Sequence, residues 1–158
     1  MDVLLREVEE SDLDVLFEHE VDSEANYMAA FTVANPGDRQ AFDARWRRMR
    51  DGEGSLVRTI VADDEVVGSI FRWRDPGLPG PEVSYWLGRE HWGKGIATTA
   101  LGLFLELARE RPIFGRCAAD NIGSLRVLEK NGFVLEAEER GFANARGSEI
   151  DEVLLRLP

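Results

Sequence analysis

Sulfur is scarce in this chain: one cysteine, Cys117, stands among 158 residues. A single thiol excludes an internal disulfide framework. It lies in the stretch 113–119, which reads as a buried strand, with no histidine or helix start close in sequence. A small core residue is therefore expected there rather than a nucleophile. Long apolar runs are missing too. None approaches a membrane span, and Met1-Asp2-Val3 opens no basic-then-apolar leader, so no membrane and a cytoplasmic setting are expected. Positive charge is in deficit: Lys plus Arg number 19 against 30 Asp plus Glu, a formal net charge of −11. Such a surface is a poor partner for nucleic acid. Its field favours a cationic or amine ligand, although acidity also serves plain solubility. There is no internal repeat and no low-complexity segment. The length suits a single domain, residues 1–158, with a real core.

Patterning then orders the elements. Residues 3–8 read as a first strand. Ser11 is placed to cap a helix that fades near Asp22, with Asp14 at the capping-box position and Leu13, Leu16, Phe17 and Glu20 on one face. Residues 24–35 carry Tyr27, Met28 and Phe31 but no clear period. A second helix spans about 38–49, with Phe42, Trp46 and Met49 at helical spacing and Arg45, Arg47, Arg48 and Arg50 on a solvated side. Residues 56–62 and 66–74 form a hairpin around Asp63-Asp64-Glu65. A breaker-rich loop, 75–81, precedes a strand at 82–87. A long helix follows Gly95 and runs to about Arg111, where Pro112 ends it. Then come a strand at 113–119, a helix at 121–131 closed by Gly132, and strands at 133–139 and 149–157. The order β-α-α-β-β-β-α-β-α-β-β predicts a mixed α/β (α+β) fold, a mostly antiparallel mixed sheet flanked by helices. The strands on either side of the long helix should be parallel.

The most informative stretch is Trp86 to Thr98. A short strand ends at Leu87, a turn carries Gly93 and Gly95, and a helix starts at once. Glycines there let the backbone pass close to a partner, and the free N–H groups of a helix start attract phosphate. Many such turns only relieve crowding. This one is neither a G-x-G-x-x-G fingerprint nor a P-loop, because no third glycine follows and Lys94 precedes no Ser or Thr. It holds a different phosphate ligand or none.

Two blocks resemble a known family. Trp92-Gly93-Lys94-Gly95-Ile96-Ala97 resembles the acyl-CoA signature of the GNAT N-acetyltransferases, Arg/Gln-x-x-Gly-x-Gly/Ala. The block from Asp120 to Phe133, with Asn121-Ile122-Gly123-Ser124 at its start and Gly132-Phe133 at its end, resembles the family's following motif. Trp92 departs from the usual Arg or Gln, which costs a side-chain donor. With Tyr85-Trp86-Leu87 before it, it looks like the branch containing ribosomal-protein amino-terminal acetyltransferases and several small-amine acetyltransferases.

The resemblance implies a GNAT-like domain, acetyl-CoA as co-substrate, and no metal. It implies that the backbone of Trp92, Gly93, Lys94, Gly95, Ile96 and Ala97, with Thr98, cradles the CoA diphosphate. The Leu87 N–H would polarise the thioester carbonyl and stabilise the oxyanion. Asn121 would bond the pantetheine arm or an ordered water near the thioester, and Ser124 would protonate the departing thiolate, the alternative being a thiolate that leaves unassisted. Taken from the residues alone, Asn121 and Ser124 are also good N-caps. Glu82 and Tyr85, on opposite faces of the strand leading to Leu87, are candidates to accept the amine's proton, with packing as the alternative for Tyr85. His19 and Glu24 are further acids or bases. The acceptor site implied by the family draws on Glu24, Tyr27, Met28, Phe31 and Trp46, which offer apolar walls and counter-charge for an ammonium. The implied reaction is direct attack of a primary amine, a protein N-terminus or a small molecule, on acetyl-CoA. Two readings stay open beside it: a non-catalytic acyl-CoA-binding domain of the same fold, and an unrelated ligand-binding module. An exposed strand near the C-terminus supports homodimers in such folds.

Overall fold

The computed structural model describes residues 1–52 and 54–158. Strand β1 (Val3–Arg6) is followed by three helices, α1 (Asp12–Val21), α2 (Ser23–Ala29) and α3 (Arg39–Asp51). Next come β2 (Leu56–Ala62), β3 (Glu65–Arg74) and β4 (Pro81–Leu87). A 3-10 turn, Arg89–His91, leads into α4 (Ile96–Leu107), β5 (Ile113–Ala118), α5 (Ile122–Lys130), β6 (Val134–Ala143) and β7 (Ser148–Leu157). The seven strands form one sheet ordered β1-β2-β3-β4-β5-β7-β6. β4 and β5 are parallel, as expected for strands flanking α4; the other pairings are antiparallel.

Side-chain alternation builds two layers on this sheet. On one face Ile60, Ile70, Val83, Ile113 and Leu155 pack against Ile96, Leu101 and Phe104 of α4 and Leu128 of α5. On the other, Val57 meets Leu13 and Leu16 of α1 and Phe42 and Trp46 of α3. Phe42 and Trp46 stand four residues apart on one helix face, which is why the apolar spacing of that segment was readable. The hairpin between β2 and β3 turns on Asp63 and Asp64 alone. Both have positive φ, the backbone a two-residue hairpin loop needs.

Four local expectations change. Residues 24–35 are not irregular throughout: Ser23–Ala29 is a helix, capped by Asp22 accepting from the Ala25 N–H. Seven residues are too few to display a period. Ser11 makes no capping bond. The Asp12 carboxylate, 2% exposed, instead accepts from the Glu9 N–H, the Thr59 hydroxyl and both terminal nitrogens of Arg6. The long helix stops at Leu107 rather than near Arg111. Arg109 donates to the Glu106 carbonyl and Arg111 to the Ala108 carbonyl, so side chains satisfy the helix end before Pro112 is reached. Finally, β6 continues through Gly141 to Ala143 rather than ending near Glu139.

Candidate active site

The site starts where two parallel strands part. β4 and β5 are registered only at Glu82 and Phe114. Beyond that point β4 follows β3 alone. The Gly88 N–H donates to the Val67 carbonyl, while Leu87 lies opposite Gly68. Leu87 and Gly68 are therefore a non-hydrogen-bonded pair, and the Leu87 amide and carbonyl point away from β3, into the gap on the β5 side. The carbonyl accepts from the Trp92 indole N–H at 3.1 Å. Replacing Arg or Gln by tryptophan thus keeps a donor, but directs it inward, where it ties the turn to the end of β4. The Leu87 N–H is left facing the gap.

The turn itself matches the glycine reading. Gly93 and Gly95 have φ of 75° and 79°, a region that strains other residues. A Cβ at either would meet nothing within 4 Å, so these glycines serve backbone conformation and an open surface rather than internal crowding. Among the described residues, the amides from Gly93 to Thr98 donate to no carbonyl or side chain. They form a row of free donors at the N-terminus of the twelve-residue α4, a cradle suited to a diphosphate.

Across the gap lies the start of α5. The Asn121 side chain accepts from the Ser124 N–H at 3.2 Å and donates to the Met28 carbonyl at 3.3 Å. It is an N-cap that also tethers α2, and its amide is engaged within the protein. Ser124 Oγ lies 2.8 Å from the Tyr85 hydroxyl. Burial pushes the Tyr85 phenol well above its ordinary range, so it stays protonated. Burial also pushes the nearby Cys117 thiol up to about 11, with a weaker opposing contribution from Ser124. Cys117 is an inert buried thiol, as its sequence context implied.

Glu82 points to the opposite face of β4 from Tyr85, as alternation required. Its carboxylate is 4% exposed and accepts from Arg116 of β5, which also reaches Asp75 and Glu139. Burial raises the Glu82 carboxyl to about 7; Arg116 only partly opposes this, and Asp75 adds to it. A groove of about 1220 Å³ runs past Glu82, Trp46, Phe71, Tyr85 and Ser124 and through the parted strands.

The structure does not bring all the acceptor-side candidates to this groove. Trp46 and Phe31 line it. Glu24, Tyr27 and Met28 do not, because the unexpected helix α2 turns them elsewhere. Glu24 pairs with Arg89. Tyr27 is 54% exposed beneath the Arg146 guanidinium, 4.1 Å from its ring centre. Met28 contributes its carbonyl to Asn121. His19 is buried against Gly88 rather than facing the acceptor.

Two lining residues went unassigned in the sequence. Arg116 is the lone charge in an otherwise apolar strand, and that oddity was its signal. Glu20 sat on the apolar face of α1. It accepts from Arg45 and the Trp46 indole, and burial raises its carboxyl above the usual range. Arg45 is therefore no solvated-face residue.

With this geometry in hand, the comparisons are specific. The Acetyltransferase (GNAT) domain model matches residues 2–134, so the chain belongs to the GNAT acetyltransferases and is an acetyl-CoA-dependent acyltransferase. It is 30% identical over 162 residues to N-acetyltransferase p20 of Bacillus licheniformis, covering 97% of this chain and 90% of that protein. It is 34% identical over 82 residues to the ribosomal-protein-serine acetyltransferase of Escherichia coli, covering 49% of this chain and 46% of that one. Its fold is similar to that of Mycobacterium smegmatis RimJ, solved with CoA-disulfide: TM-score 0.79 and 22% identity, covering 98% of this chain and 81% of that one.

Proposed function

We propose that this chain moves an acetyl group from acetyl-CoA to a primary amine, with both bound at once. The supporting observation is one groove that carries a buried carboxyl near pKa 7 and a hydroxyl pair, and passes through the strand gap into which the Leu87 N–H is turned. The free amides from Gly93 to Thr98 fit a CoA diphosphate. Bound there, acetyl-CoA supplies the activated acyl group.

Each residue then has a task. The Leu87 N–H donates to the carbonyl oxygen as negative charge builds on it. A protonated amine cannot attack, so Glu82 takes its proton. Glu82 precedes Leu87 by five residues, about 16 Å at the rise of an extended strand, so that proton travels through groove water. Ser124 gives a proton to the departing sulfur, and the Tyr85 hydroxyl, held neutral by burial, orients Ser124. Asn121 fixes the first turn of α5 and with it Ser124. Trp46 and Phe31 supply apolar wall for the acceptor, with Glu20 and Glu82 as counter-charge.

The E. coli relative's name points to a ribosomal protein as acceptor, whose amine would be a protein N-terminus, and the acidic groove also suits a small amine. A thiol-release screen with acetyl-CoA against peptides, amino acids and diamines separates them. Turnover with any class supports the proposal. Tight acetyl-CoA binding with no thiol release across the panel would overturn it in favour of a binding-only domain.

A further inference from the structure

Away from the groove, on the α1 side of the 3-10 turn, two histidines and a glutamate converge. A ring nitrogen of His19, a ring nitrogen of His91 and a carboxylate oxygen of Glu90 all lie within 4.8 Å of one another. The histidines are 7% and 6% exposed. His91 Nε2 is buried with no hydrogen-bond partner among the described residues, and so is His19 Nδ1. Buried polar atoms are normally satisfied, so an orphan nitrogen aimed into a cluster needs an explanation. His91 Nε2 lies 3.5 Å from Glu90 Oε1 and 3.9 Å from Glu65 Oε1, and His19 Nε2 lies 3.9 Å from Glu90 Oε1. These separations are long for hydrogen bonds. They are close to the roughly 3.4 Å that separates N and O ligands around one tetrahedral zinc ion.

We infer that His19, Glu90 and His91, with Glu65 as a fourth donor, bind a divalent cation of zinc's class. Two imidazoles with carboxylates suit Zn²⁺ and its transition-metal neighbours, whereas Mg²⁺ and Ca²⁺ prefer all-oxygen sites. The surroundings favour a cation. Glu18 and Asp22 also border the adjoining cavity of about 390 Å³. The Glu65 and Glu90 side chains are 68% and 67% exposed, free to swing toward the histidines as closure requires. Gly88 is part of the design. A Cβ there would sit 2.6 Å from His19 Nε2, so only glycine lets the histidine lie against this backbone. The histidines are far apart in sequence, on a helix and in a turn, and no ligand spacing announces them. The cation would clamp α1 to the turn that immediately precedes Trp92.

The test is calorimetric titration of ZnCl₂ into chelator-treated protein, followed by X-ray absorption at the zinc edge. One saturable equivalent is expected, with imidazole and oxygen ligands near ~2.0 Å and a rise in melting temperature. Glu90→Gln should weaken binding at least tenfold, and His91→Ala should abolish it. If His91→Ala fails to fold, Glu90→Gln, on an exposed side chain, decides. Absence of a saturable site, a sulfur ligand near ~2.3 Å that places the metal on Cys117, or unchanged affinity in Glu90→Gln would each overturn the inference. Mg²⁺ at equal concentration should not compete; if it displaces zinc, the N-donor assignment fails.

Discussion

The Tyr85 hydroxyl and Ser124 Oγ meet at 2.8 Å across the gap between β4 and α5. One comes from the strand that ends at Leu87, the other from the first turn of α5. Neither is near the other in sequence, yet together they make a single hydroxyl unit. Ser124→Ala should lower kcat by about 10²-fold, the lower end of a general-acid contribution, with CoA affinity changed less than threefold. Tyr85→Phe should lower it less. Because they act as one unit, the double variant should be little worse than Ser124→Ala alone. Strongly weakened CoA binding with normal turnover would remove Ser124 from its role.

Glu82 gives a pH prediction. A base must be deprotonated to act, so kcat/KM should rise with pH and level off above about 7. Glu82→Gln should erase that limb and lower the rate by at least ~10²-fold. Stability runs the other way. The carboxyl binds its proton more tightly folded than unfolded, so stability falls as pH rises from the ordinary carboxylate range of 4.5 toward about 7. Urea melts of both proteins across that window check the sign: the glutamine variant should lack the decline.

Gly95 tests the diphosphate cradle. Its φ of 79° costs an L side chain about 1–2 kcal/mol, but no neighbour within 4 Å would clash with a Cβ. Gly95→Val should therefore fold and lose at least tenfold in CoA affinity by calorimetry. Lys94→Ala keeps the amide and should bind CoA nearly as well as the parent.

Asp12 tests stability apart from chemistry. Burial alone would raise its carboxyl, but Arg6, the Glu9 amide and the Thr59 hydroxyl hold it below its usual range. Its contribution is present at neutral pH and lost as pH falls through the carboxylate range. Asp12→Ala removes the near partner of Arg6, which keeps Glu9 and the Glu7 carbonyl, and strips the buried Thr59 hydroxyl of its acceptor; it should cost about 2 kcal/mol in chemical denaturation. Catalytic constants of the folded variant should be unchanged.

Much of the fold was legible because its signals are local. The period of Phe42 and Trp46, the Asp-Asp hairpin turn and the glycines before α4 each follow from a few adjacent residues. The short α2 was not legible, since its seven residues show no repeat and its cap, Asp22, follows α1 directly. That helix holds Glu24, Tyr27 and Met28 away from the groove to which the family resemblance had assigned them.

The sequence by itself determined the order of elements, the glycine turn before α4 and the family, because backbone conformation and helix-start donors are properties of contiguous residues. Only the tertiary structure decided that Glu82 is buried beside Arg116, that Tyr85 reaches Ser124, and that two distant histidines face one glutamate. Those relations depend on strand register and on where β4 parts from β5. Register is set by packing across the whole sheet, and no short stretch of chain encodes it.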